Sequence, residues 1–250
     1  MPSLGRRRST DFDGRFLTVV TYGRTGSTAL QASLNALPGV LVRGENYSAM
    51  RGIQAYAQSI AETADRHHAG RPEHPWFGSA RLDPGSTLAD LRRHVVVQLL
   101  RPHADTRWLG FKEVRYEPGH FASYDLLLDH LLFLGRLFPG LVYLMNVRDP
   151  KTAAASGWWP DHGDAEAVLA TTREWLMAAA TDINALSRAS THQPRAVVLQ
   201  YEQWAGDPQV LIGAYAQLGL PADDTAVRAA LATRLEHGAH AWPPAAGGSA

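Results

Sequence analysis

The chain contains no cysteine, which excludes disulfides and thiol catalysis and suits a cytoplasmic location. It has no surplus of charge either: 24 Lys and Arg balance 24 Asp and Glu, so net charge gives no sign of a nucleic-acid-binding surface. Long apolar runs are missing near the start. The one present, Phe16–Tyr22, spans seven residues, too short for a signal peptide or a membrane span. No internal repeat or heptad series stands out, and no His/Asp grouping has convincing metal-ligand spacing. At 250 residues the chain can bury a substantial core as a single α/β domain. Domain boundaries are expected at a basic arm over 1–12 that carries Arg6-Arg-Arg8, a folded unit over 13–240, and a Pro/Gly/Ala-rich tail over 241–250.

What is present begins with that apolar run. Residues 16–22 read as a buried strand centred on Val19 and Val20, and Gly23-Arg-Thr-Gly-Ser-Thr28 follows at once. Leu30, Leu34 and Leu37 then recur at helical spacing until Pro38-Gly39 stops the pattern. A strand that turns sharply into a helix leaves backbone N–H groups without partners at the helix start, where the helix dipole favours an anion. Gly23 and Gly26 allow close approach of a guest, Ser27 and Thr28 offer hydroxyls, and Arg24 offers a permanent forked cation. A phosphate suits this cradle. The turn matches neither Gly-x-x-x-x-Gly-Lys-[Ser/Thr] nor Gly-x-Gly-x-x-Gly, so neither a nucleoside-triphosphate loop nor a dinucleotide fold is predicted.

A second apolar run, Leu141–Val147, reads as a parallel strand covered on both faces and ends in Arg148-Asp-Pro150. Ser156 lies eight positions after Arg148, and a helix begun at Pro150 could bring its hydroxyl back towards the guanidinium to hold a second phosphate. A plain strand-end contact of Arg148 with Asp149 or backbone is the structural alternative. Near the end, a helix is expected over 208–218 with Asp207 as cap and Gly219 as stop. A longer helix is expected from about Asp164 to Ala189.

Together, Tyr22-Gly-Arg-Thr-Gly-Ser-Thr-Ala29, Val147-Arg-Asp-Pro with Ser156, and Val197–Trp204 with Asp207-Pro208 and Leu218-Gly-Leu-Pro221 resemble the sulfotransferase family in content, order and spacing. The resemblance implies a three-layer α/β/α fold with a central parallel sheet. It implies a sulfuryl donor, 3'-phosphoadenosine 5'-phosphosulfate (PAPS), and no metal. Arg24, Thr25, Gly26, Ser27 and Thr28 would bind the 5'-phosphosulfate, Arg148 and Ser156 the 3'-phosphate, and Tyr201 would lie near the adenine.

Many members place a lysine beside the transferring sulfonate on a strand resembling Trp108–Tyr116, which assigns Lys112. Members with a histidine base carry it two residues later, where this chain has Val114. Other branches, including bacterial carbohydrate and glycolipid sulfotransferases, use a glutamate just after the first helix, and Gly44-Glu45-Asn46-Tyr47 offers Glu45 as general base. Glu45 as a helix-start residue or ion-pair partner of Arg43 is the alternative. The expected partner is a small-molecule or glycan acceptor, with Trp158-Trp159 and the aromatics and histidines between Met50 and Trp108 as pocket candidates. Two other functions stay open: a kinase using Asp149 to hold Mg2+, and an inactive nucleotide-binding module.

Overall fold

Five short stretches of β-branched and aromatic residues form the strands: β1 Arg15–Thr21, β2 Val40–Arg43, β3 Trp108–Glu113, β4 Val142–Val147 and β5 Arg195–Gln200. They pair in parallel in the order β2-β3-β1-β4-β5, which puts β1 at the centre. The computed structural model describes residues 12–186, 195–221 and 223–233. The arm up to residue 11, the tail, and the end expected for the long helix at Ala189 lie outside the described residues. Phe12, placed in the arm by its position, packs its ring edge-on against Phe16 at 5.3 Å.

The helices are α1 Ser27–Asn35, α2 Ala49–Arg66, α3 Pro84–His94, α4 Tyr124–Leu137, α5 Pro150–Ala154, α6 Ala165–Leu186, α7 Tyr201–Gly206, α8 Gln209–Leu218 and α9 Asp224–Ala232. Strand alternation sorts the core into two layers. Phe16 and Val20 of β1, Phe111 of β3 and Tyr143 and Met145 of β4 pack with Leu127 and Leu131 of α4 and Leu169, Leu176 and Ile183 of α6. On the other face Leu17, Val19, Val142 and Leu144 pack with Leu30 and Leu34 of α1, Leu211 and Tyr215 of α8 and Val227 of α9. The expected three-layer α/β/α architecture is present.

Three elements add to or depart from the sequence expectation. Strand β2 inserts between α1 and Glu45, because Asn35 holds Val42 through both side-chain atoms, at 3.0 and 2.7 Å. Tyr201 directly follows β5 and opens α7, which turns the chain across the sheet end. Trp108, grouped above with pocket aromatics, is buried in the core with the Arg15 guanidinium 4.0 Å from its ring centre. Because all strands are parallel, the segments after β1, β2, β3, β4 and β5 gather at one sheet edge.

Candidate functional site

The turn after β1 is built by residues that bond to one another. Thr21 Oγ1 donates to the Asn146 carbonyl at 2.6 Å and lies 2.6 Å from Thr25 Oγ1. Asn146 Nδ2 donates to the Thr25 carbonyl at 2.9 Å, and Trp204 Nε1 donates to Asn146 Oδ1 at 3.0 Å. The loop is thereby fixed by β4 and α7 before any guest arrives. Arg24 and Gly26 take left-handed φ of 70° and 74°, and Gly26 caps α1 without a side-chain acceptor, so no side chain occupies the first N–H groups of that helix. Thr25, assigned above to the donor, turns its hydroxyl inward: the residue is 0% exposed and bonds Thr21 and the Tyr22 carbonyl. Only its backbone can face a ligand. Thr28 is exposed and Ser27 is buried at the helix start.

The two segments expected to hold anions meet on this loop. Arg24 Nε donates to Ser156 Oγ at 2.9 Å, and Arg148 Nη1 donates to the Arg24 carbonyl at 2.8 Å. Ser156 therefore returns to the guanidinium of Arg24, whereas the expectation paired it with Arg148. The reason is local: Gly157, at φ 70°, packs so tightly on Arg24 that a Cβ there would lie 2.7 Å from Arg24 Cδ. Arg148 instead lays its guanidinium over the Tyr201 ring, 4.4 Å from the centroid. Tyr22 ties the strand ends together, accepting from Arg148 N–H at 2.8 Å and donating to the Arg148 carbonyl. Burial pushes the Tyr22 phenol up to about 12, against the opposing effect of its bond to the Arg148 carbonyl, so it stays a donor at neutral pH. Two buried donors beside the loop, Arg148 Nε and Trp159 Nε1, have no partner among the described residues.

The second cluster lies where β2 and β3 end. Lys112 Nζ donates to Glu45 Oε1 at 2.9 Å and Arg115 Nη1 reaches Glu45 Oε2 at 3.3 Å. Arg43, the alternative partner, instead donates to the carbonyls of Leu100 and Arg101. Lys112 is only 5% exposed, while the Glu45 side chain keeps 35% of its surface open. Glu45 thus keeps a partly exposed carboxylate with cations on both oxygens.

A model of the sulfotransferase family matches residues 17–224. The chain belongs to the sulfotransferase family. Among solved structures, the sulfotransferase is similar to the sulfotransferase domain of the Synechococcus PCC 7002 olefin synthase at 19% identity and a TM-score of 0.47, over 87% of this chain and 78% of that one. It is also similar to the sulfotransferase domain from the curacin biosynthetic pathway, at 15% identity and a TM-score of 0.43, over 85% and 76% of the two chains. Curated proteins give no match.

Asp149 of the sulfotransferase, the carboxylate a kinase would need for Mg2+, caps α5: its Oδ1 accepts from Thr152 N at 2.8 Å and Thr152 Oγ1 at 2.7 Å. Those two bonds hold its carboxyl below the usual range, the Thr152 hydroxyl foremost. Tyr22, Asn146 and Trp204, which fix the loop, and Glu113, which Arg115 also contacts, were not assigned a role from sequence. Asn146 carried one usable signal, as the lone amide in the otherwise apolar run Leu141–Val147. Among the described residues no helix is long and apolar enough to cross a membrane.

Proposed function

We propose that this sulfotransferase takes PAPS as its donor and transfers the sulfuryl group to a hydroxyl of a carbohydrate or glycolipid in the cytoplasm, with Glu45 as general base. The observation that carries the donor assignment is the direct linkage of Arg24 to both Ser156 and Arg148, which joins two anion-binding segments from β1 and β4 into one site. A nucleotide with anionic groups at both ends of its ribose suits such a pair. Gly26 supports the adenine side of this reading, since a Cβ there would lie 2.4 Å from the Tyr201 ring.

When bound, PAPS supplies a sulfuryl group already attached to a phosphate leaving group. Arg24, the N–H groups opening α1 and Lys112 then meet the negative charge that grows on the leaving side, the role in which fixed donors contribute most to rate. Arg148, stacked on Tyr201, and Ser156 hold the distal phosphate. Glu45 takes the acceptor hydroxyl proton as the oxygen–sulfur bond forms, and Lys112 is the cation shared between base and leaving side. Two exposed rings support a sugar acceptor, Trp158 at 43% beside Gly23 and Tyr47 at 71% on the Glu45 loop, since such rings stack readily on a sugar face.

The test is transfer of radiolabel from 35S-PAPS to a panel of methyl glycosides, phenols and amines by wild type and Glu45→Gln. Labelled glycosides, with the rate down about a hundredfold or more in the variant, are expected. Label confined to phenols or amines would overturn the acceptor class, and a variant at the wild-type rate would remove Glu45 as base.

A further inference from the structure

The ion pairs of Glu45 are one half of a larger arrangement. Glu113, the last residue of β3, is 3% exposed and its carboxylate is fully engaged. Its Oε1 accepts from Arg115 Nη1 at 2.7 Å and from Val114 N at 2.9 Å. Its Oε2 accepts from Ser48 N at 2.8 Å and Asn46 N at 3.4 Å, the backbone immediately after Glu45. That backbone is strained, with Tyr47 and Ser48 both left-handed at φ 58° and 59°. The Arg115 guanidinium closes the circuit, since the Nη1 that bonds Glu113 also reaches Glu45 Oε2, and its plane covers the Tyr47 ring at 4.4 Å. Strand alternation sends Lys112 and Glu113 to opposite faces of β3, so the Glu45 segment is gripped from both.

We infer that Glu113 and Arg115 are positioning residues for the reaction: Glu113 pins the strained backbone after Glu45, and Arg115 fixes one carboxylate oxygen so that the other faces Lys112. A partly exposed carboxylate on a loop would otherwise sample many orientations, and misplacing a catalytic group by about 1 Å costs up to about a hundredfold. Three backbone N–H groups hold the Glu113 carboxylate, and Arg115 Nη1 is its only charged donor and the one it shares with Glu45. That shared Nη1 links the buried carboxylate to the exposed one. This inference rests on Glu45 as the base, and it adds the part of the molecule that aims it.

The test compares Arg115→Ala, Glu113→Gln and Glu45→Gln with the double variants that combine each of the first two with Glu45→Gln. Glu113→Gln is isosteric and keeps one acceptor oxygen in place of two, which covers the case in which Arg115→Ala does not fold. In the donor-free protein, amide exchange over residues 44–49 is expected to quicken about tenfold in either variant while β1 and β4 stay protected. Calorimetric affinity for adenosine 3',5'-bisphosphate stays within about twofold of wild type. With 35S-PAPS, kcat falls about tenfold to a hundredfold at unchanged donor KM, and neither substitution lowers the rate further once Glu45 is Gln. Unchanged exchange over 44–49, an altered bisphosphate affinity, or losses that add to that of Glu45→Gln would each overturn the inference. Wild-type turnover by Glu45→Gln with quickened exchange in the other two would instead overturn the reading of Glu45 as base.

Discussion

Replacing Gly26 with alanine perturbs the packing of the turn after β1 on Tyr201 without touching a charge. Gly26 sits at φ 74°, where an L side chain costs roughly 1–2 kcal/mol. The new Cβ would lie 2.4 and 2.5 Å from Tyr201 Cε2 and Cδ2 and 3.2 Å from Trp204 Cη2, so the Tyr201 ring must move, an overpacking cost of about 1–3 kcal/mol. Together these predict a loss of roughly 2–5 kcal/mol, read as a Tm lower by roughly 5–15 °C for a chain of this size. Moving Tyr201 also removes the face on which Arg148 rests, an interaction worth roughly 0.5–2 kcal/mol, so the bisphosphate should bind roughly threefold to thirtyfold more weakly. Differential scanning fluorimetry and calorimetry read the two effects. Gly52→Ala is the control, because a Cβ there meets nothing within 4 Å inside α2 and should stabilise by up to about 1 kcal/mol. A Gly26→Ala protein that matches wild type in both assays would refute the packing argument.

Tyr22→Phe leaves the part-buried Arg148 N–H unpaired, which costs about 1–3 kcal/mol and loosens Arg148, so Tm and bisphosphate affinity should fall together; a fall in neither would show that the clamp is idle. Arg24→Gly relieves a left-handed arginine while deleting the bond to Ser156, and Tm should stay within a few degrees of wild type while bisphosphate affinity falls by about tenfold or more. Undiminished affinity would remove Arg24 from the site. His130 is buried against Gln54, with Nδ1 2.6 Å from its Oε1, and burial lowers its pKa from the ordinary 6.5 to about 4. The unfolded chain then binds the extra proton first, so stability is full above about pH 6.5 and declines as pH falls towards 4, by roughly 3 kcal/mol in all. Urea unfolding at pH 7 and 5 should show the slope in wild type and a flatter one in His130→Asn; equal slopes would contradict it.

Legibility in the sequence followed the range of the contacts. The cradle after β1 was readable because strand, Gly-rich turn and helix start are contiguous, and the motif at Arg148 because its run of apolar residues marks the strand before it. The partners of those residues were not. Ser156 was aimed at Arg148 by interval alone, yet the tight packing of Gly157 on Arg24 turns it to the other guanidinium. Glu113 and Arg115 are two residues apart and pair with each other, but their reach to Glu45 and Ser48 spans some 65–70 positions of chain and depends on β2 lying beside β3. The run Val95–Leu100, rich in β-branched residues, forms a wide helical turn after α3, where packing of Val95, Val96 and Leu100 overrides strand propensity. Tyr22 is the clearest omission. An aromatic ending a buried strand reads as core, and only the fold brings its hydroxyl to Arg148.

The most direct test of the donor site is calorimetric titration of adenosine 3',5'-bisphosphate and of ATP, with and without Mg2+, into wild type and Arg148→Ala. The account predicts micromolar bisphosphate binding, weakened about tenfold or more in the variant, and weaker ATP binding whether or not Mg2+ is present. Mg2+-dependent preference for ATP, or bisphosphate binding indifferent to Arg148, would contradict it.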